Sequence, residues 1–406
     1  MIMKEGIIMK TNKEIMDLAE QALIHTYNRF PVVLDHGKGV YLYDVEGKEY
    51  LDFAAGIAVN AFGYDVPEYK QALKDQIDKV IHVSNLYYTE PLAKAANRLA
   101  KATGLRKVFF TNSGTEAIEG AIKLARKYAW NRDNGSTDHE IIAMNNSFHG
   151  RSIGALSVTG NPHYQEAFKP LIDKVVFADF NNIEDVRSKI TDKTCAIIFE
   201  TIQGEGGIYP VEADFIKEVR RICDEKDILL ILDEIQCGMG RSGKMFAYEH
   251  FGVRPDIVTV AKALGCGVPI GAFVAGDKVC DSMTAGDHGS TYGGNPLATA
   301  AANAVFDLFE KKHILENVNE TGSYLGEVLD RFAAKYDFIT EARGMGLIRG
   351  LEFSVPVGPI VNRCIEEGLL LISAGTNVIR FVPPLVITKE NVDEMAQKLD
   401  RVLSEV

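Results

Sequence analysis

Ile228-Leu229-Leu230-Ile231-Leu232-Asp233-Glu234 is an unbroken apolar run that ends in two carboxylates. A strand buried on both faces reads this way, and such strands belong to parallel sheets covered by helices. In open α/β sheets ligands collect outside the carboxyl ends of the strands. Asp233 therefore stands where chemistry is usually done, and an acid there can hold a proton on a heterocyclic nitrogen. A loop-start aspartate that caps the next turn would look the same in isolation.

Working outward, further short apolar runs alternate with helical stretches: Lys107–Phe110, Ile141–Met144, Val175–Ala178, Cys195–Glu200, Ile257–Val260 and Ala272–Ala275. With the first run this predicts an α/β domain around a mainly parallel sheet. Before it, residues 14–28 read as an amphipathic helix, and Val40–Asp44 with Glu49–Phe53 as a β-hairpin. Helical patterns continue through residue 102. After about residue 305 the pattern changes to two helical stretches, a hairpin around Gly346–Phe353 and a terminal helix, the signature of a separate α+β lobe.

Composition sets outer bounds. The chain has 406 residues, 46% of them hydrophobic and 25% charged, enough for more than one core. A formal net charge of -12 argues against a nucleic-acid or anionic-membrane partner. The six cysteines show no CxxC spacing, so neither a zinc knuckle nor a thioredoxin motif is visible, no metal is expected, and scattered thiols suit a reducing cytoplasm. The N-terminal Met1–Met9 stretch is broken by Lys4, Glu5 and Gly6 and does not read as a signal peptide. No apolar run approaches membrane-spanning length.

Lys262 sits in Ile257-Val258-Thr259-Val260-Ala261-Lys262-Ala263-Leu264-Gly265, among apolar or small neighbours. Burial favours the neutral amine, which can condense with an aldehyde to a Schiff base. A lysine snorkelling from a strand end is the plainer alternative. Asn112-Ser113-Gly114-Thr115-Glu116 ends a strand and opens a helix. Free amides and hydroxyls at a helix start suit a phosphate, although an ordinary capped helix would read alike. Gly238-Met239-Gly240-Arg241-Ser242-Gly243 matches GxGxxG literally. It neither follows a strand directly nor opens a helix, so a nicotinamide site is not expected. His288–Pro296 is glycine-rich with adjacent hydroxyls, either a connector or a source of phosphate donors. Phe148 offers a flat face and Arg151 a carboxylate fork, while core packing of Phe148 and a merely satisfied His149 are also reasonable. Arg380 lies alone in an apolar strand and needs a partner, for which Glu205 is a candidate.

Together these residues resemble the class III, fold-type I pyridoxal-phosphate aminotransferases, in particular the acetylornithine/ornithine aminotransferase group. The similarity runs from about Tyr27 to the C-terminus. It is most specific at Leu232–Gln236, Ala261–Leu264 and Gly289–Pro296, with Asn112–Glu116 and Phe148–Arg151 adding to it. The resemblance implies a large domain with a mainly parallel seven-stranded sheet over residues 76–305. It implies a smaller α+β domain built from residues 1–75 and 306–406. It further implies that Lys262 bonds the cofactor aldehyde and that Asp233 pairs with the ring nitrogen. Gln236 would meet the phenolic oxygen, with Phe148 and Ile235 on the ring's two faces. Ser113, Gly114 and Thr115 would hold phosphate, joined by Thr291 from the neighbouring subunit of a homodimer. Arg151 looks like the binder of the donor carboxylate, Ser290 and Tyr27 look substrate-facing, and Glu205 with Arg380 resembles a switch pair. The implied reaction passes the δ-amino group of N2-acetylornithine to 2-oxoglutarate, a step of arginine biosynthesis. Ornithine, succinylornithine or 4-aminobutyrate are the alternative donors.

Overall fold

The computed structural model describes residues 11–406, so the Met1–Met9 reading lies outside the described residues. A seven-stranded sheet forms the centre. Its spatial order is Lys107–Thr111, Gly271–Ala275, Ile257–Val260, Leu229–Asp233, Thr194–Glu200, Glu140–Met144 and Val175–Ala178. Only Gly271–Ala275 runs antiparallel to its neighbours, so the sheet is mainly parallel as its sequence predicts. Alternate residues along each strand feed different cores. Leu230, Leu232, Ile197 and Val258 enter one cluster, and Leu229, Ile231, Ile198 and Ile257 enter another. Both faces are therefore covered, which is why the strands show no polar alternation. Each fully buried Leu or Ile contributes about 2 kcal/mol of transfer free energy. Cys195 is buried in this core, and burial pushes its thiol up to about 12.

Smaller sheets flank the large one. Tyr41–Asp44 and Glu49–Asp52 form the predicted hairpin, with Leu34–Lys38 added on one side and Leu369–Leu370 pairing in parallel on the other. Parts of the chain more than 300 residues apart thus share one sheet. Ile339–Met345 and Ile348–Phe353 form the second predicted hairpin, extended by Val378–Phe381 and Ile372–Ala374. The terminal helix is Lys389–Leu403.

The structure corrects two helical expectations. The first helix spans only Asn12–Ala22, closed at its start by a Thr11–Glu14 capping box, and Leu23 is already extended. Ile24, Thr26 and Tyr27 are poor helix formers, and the helix has no buried residue to anchor a longer run. In the region read as helical through residue 102, helices occupy Pro67–Ile77 and Glu90–Thr103, while residues 78–88 are irregular. Among the described residues no helix is long and apolar enough to cross a membrane.

Candidate active site

The parallel strands end at Thr111, Met144, Glu200, Asp233 and Val260 on one edge of the sheet. The segments after them converge on a cavity of about 450 Å³ lined by Ser113, Gly114, Thr115, Phe148, His149, Arg151, Glu200, Asp233, Ile235, Gln236 and Lys262. Residues scattered over 150 positions of sequence meet because parallel strands deliver their carboxyl ends to the same side.

Asp233 is buried and held by three donors. Its Oδ1 accepts the Ile235 amide at 3.0 Å and the Thr259 hydroxyl at 3.2 Å. Its Oδ2 lies 2.7 Å from Nδ1 of the fully buried His149. Thr259 is the register partner of Asp233 on the next strand, so the pleat itself points their side chains the same way. Glu200 is the register partner on the other side. Its carboxylate accepts the amides of Phe148 and Gly204, both at 2.9 Å. Burial, with Asp233 beside it and His149 opposing, pushes the Glu200 carboxyl up to about 7.

Lys262 begins a short 3-10 turn after Val260, and its backbone is left-handed at φ 47°. A non-glycine residue is strained there. Burial, and then the Arg380 guanidinium, push its amine down to about 8, against the pull of Glu205, Asp233 and Glu200. A lysine in this condition reaches the neutral, nucleophilic form more readily than a solvated one.

The helix Gly114–Arg132 aims its N-terminus at the same cavity. Ser113 caps it by accepting the Glu116 amide at 3.3 Å. Glu116 reaches back to the Asn112 amide at 2.7 Å. The first-turn amides at Gly114 and Thr115 lack intrahelical partners, the arrangement that receives an anion. A Cβ on Gly114 would lie 2.9 Å from Ile235 Cδ1, so glycine lets this turn approach the wall. Thr115 Oγ1 lies 2.7 Å from Ser152 Oγ.

Elsewhere on the lining, the Arg151 guanidinium stacks 3.6 Å above the Tyr164 ring and 5.6 Å from Phe148. Arg380 stands one layer behind the cavity wall. Its Nη1 donates to Glu205 Oε1 at 2.7 Å and to Gln236 Oε1 at 2.9 Å. The Gln236 carbonyl is therefore engaged, and its amide nitrogen is the end that can meet a ligand oxygen.

Five residues singled out in the sequence do not line this cavity in the single chain: Glu205 and Arg380 pair behind its wall, and Tyr27, Ser290 and Thr291 stand away from it. Tyr27 and Thr291 are exposed. Ser290 is turned into its own loop, its Oγ accepting the Gly293 amide at 2.9 Å and facing Asn112 Nδ2 at 3.4 Å. Such a tight Ser-to-amide turn is local chemistry that a hydroxyl beside glycines favours. The Gly238–Gly243 stretch is a series of turns with no helix opening on it, and Arg241 is buried there donating to the Leu347 carbonyl at 3.1 Å. Conversely, His149, Glu200, Thr259 and Tyr164 belong to the site without having been assigned a role. Register beside Asp233 marks Glu200 and Thr259 only once the sheet is formed; nothing local marks Tyr164.

The donor set fits pyridoxal phosphate: a depressed lysine for its aldehyde, a fixed carboxylate for its ring nitrogen, apolar side chains for its faces and a helix start for its phosphate. Comparison with known proteins agrees. The family described as aminotransferase class-III matches residues 23–403. An acetylornithine aminotransferase of Clostridium acetobutylicum is 51% identical, covering 93% of this chain and 97% of that one. One from Methanocaldococcus jannaschii is 47% identical over 96% and 98%. The solved ornithine aminotransferase of Toxoplasma gondii, with pyridoxal phosphate partly occupying its active site, superposes with a TM-score of 0.95 at 31% identity, covering 99% and 96%.

Glu200 supplies a pH test. Its folded value lies above its unfolded one, so the acid adds no difference below about 4.5 and destabilises the fold increasingly up to about 7. Glu200→Gln loses an acceptor for one of the two amides at every pH. Its stability relative to the parent should nonetheless improve as pH rises through that window, by roughly 3 kcal/mol at most. Denaturant titrations at pH 4.5, 6 and 8 measure this; a constant offset would contradict it.

Proposed function

Because the chain belongs to the class III aminotransferases, we propose that it transfers the δ-amino group of N2-acetylornithine to 2-oxoglutarate, giving N-acetylglutamate 5-semialdehyde and glutamate in arginine biosynthesis. The enzyme is a pyridoxal-phosphate-dependent transaminase. The near-full-length identity to acetylornithine aminotransferases carries the choice of donor. The ornithine reading has the Toxoplasma superposition in its favour, at a lower identity of 31%.

Pyridoxal phosphate supplies an aldehyde to carry the amino group and a ring to draw electrons from the reacting carbon. The chain's residues do the rest. The amides of Gly114 and Thr115, with the Ser113 and Thr115 hydroxyls, bind the phosphate. Phe148 and Ile235 hold the ring between them. Asp233 would keep a proton on the ring nitrogen, and its three donors keep it aimed. Gln236 donates to the phenolic oxygen. Lys262 would bond the aldehyde. Its neutral nitrogen would take the proton from the donor's δ-carbon.

Arg151 binds the donor α-carboxylate as a planar fork. In this half-reaction Glu205 neutralises Arg380, which suits a donor with one carboxylate. For 2-oxoglutarate Glu205 moves away, and Arg380 and Arg151 take one carboxylate each. Tyr27 and Ser290 complete the substrate side in the assembled protein. We place that assembly as a cytoplasmic homodimer in which Thr291 of one subunit reaches the phosphate site of the other. The exposure of Ile24, Leu86, Tyr87 and Tyr88 supports a large buried contact.

Two measurements test this. With 2-oxoglutarate as acceptor, kcat/KM should be at least tenfold higher for acetylornithine than for ornithine, succinylornithine or 4-aminobutyrate; preference for another of these donors would reassign the substrate. Lys262→Ala should keep the fold, lose the visible absorption of the lysine-bound cofactor and lower kcat by roughly 10³-fold. An unchanged spectrum would reject Lys262.

A further inference from the structure

The segment after the Glu49–Asp52 strand turns the wrong way for L-amino acids. Ala55, Gly56, Ile57 and Ala58 have φ of 47°, 63°, 64° and 62° in succession. L-residues visit this region singly, and a β-branched residue such as Ile57 is least at home there. Only Gly56 takes it without steric cost. The turn nevertheless closes its own hydrogen bonds. The Ala58 amide donates to the Ala54 carbonyl at 3.0 Å, and the Val59 and Asn60 amides to the Ala55 carbonyl at 2.8 and 2.9 Å.

What holds it is Asp52, which is buried. Asp52 Oδ1 accepts the amides of Ala54 and Ala55 at 2.9 and 2.8 Å, and Oδ2 accepts the Tyr64 hydroxyl at 2.6 Å. Tyr64 in turn accepts from Asn60 Nδ2 at 3.3 Å. The clamp therefore grips both ends of the turn. Phe53, at its start, accepts the Val382 amide at 2.9 Å, two residues beyond Arg380. Val59, at its end, lines the cavity that contains Lys262. Strained backbone persists only where surroundings over-determine it, and it gathers at ligand sites.

We propose that this left-handed turn is a stiff wall of the amino-donor pocket, linking the Arg380 strand to the Lys262 cavity, and that Asp52 is the positioning residue that clamps it. The inference rests on the transaminase reading above. Three L-residues in place of glycines restrict the backbone, so Val59 is presented in one position, and a relaxed turn would blur the pocket for the donor.

The test separates backbone from side chain. Ile57→Ala removes the side chain and keeps a Cβ; Ile57→Gly removes both and frees the backbone. In the cofactor-loaded enzyme, Ile57→Gly should melt at a higher temperature than Ile57→Ala, because the left-handed cost is gone. Its residue 53–60 amides should exchange hydrogen faster. Its KM for the amino donor should be at least threefold higher, with kcat changed less. Asp52→Asn, which keeps an acceptor oxygen, should lie nearer the parent in KM than Asp52→Ala. Equal KM and exchange in Ile57→Ala and Ile57→Gly would overturn the proposal, as would a loss confined to kcat. Failure of the parent enzyme to transaminate any donor would instead sink the underlying reading, so the two failures are distinguishable.

Discussion

The site depends on a carboxylate that cannot move. Asp233 accepts from the Ile235 amide, the Thr259 hydroxyl and His149, all within 3.2 Å. A buried carboxylate with this many donors keeps one orientation. The three donors come from the loop after its own strand, from the neighbouring strand and from the loop after Met144. The sheet must be complete before the acid is aimed. The proposed binding and proton holding at the ring nitrogen therefore draw on the same core that stabilises the fold.

A second layer surrounds this point. Glu200, next in register, spends its two oxygens on the amides of Phe148 and Gly204. It thus fixes the loop that bears Phe148, His149 and Arg151 and the loop that leads to Glu205. Arg380 bridges Glu205 and Gln236. Gln236 lines the cavity, so in the proposed switch a movement of Glu205 that frees Arg380 reaches the cavity wall through one guanidinium.

Much of the sheet was legible because strands buried on both faces leave continuous apolar runs, as in Ile228–Leu232. Asp233 and Lys262 stood out because a charge at the end of such a run is costly without a purpose. What stayed hidden depends on pairing between distant parts of the chain. His149 looks like any satisfied histidine until Asp233 is brought 84 positions across to it. Tyr164 carries no local sign that Arg151 will stack on it. The turn at Ala55–Ala58 runs against the propensity of its residues, so no pattern of alanines could announce it; Asp52 and Tyr64 impose it from outside. The shortened first helix fails for the opposite reason, an amphipathic pattern without a core beneath it in the single chain. Tyr27, Ser290 and Thr291 were singled out by resemblance, and in the single chain they stand away from the cavity.

The most direct measurement is the protonation state of the cofactor's ring nitrogen. Enzyme reconstituted with pyridoxal phosphate carrying nitrogen-15 in the ring should give a chemical shift of the protonated form at pH 8, and Asp233→Ala should move it to the unprotonated position. A parent enzyme whose ring nitrogen is already unprotonated at that pH would contradict the role given to Asp233 and the site built around it.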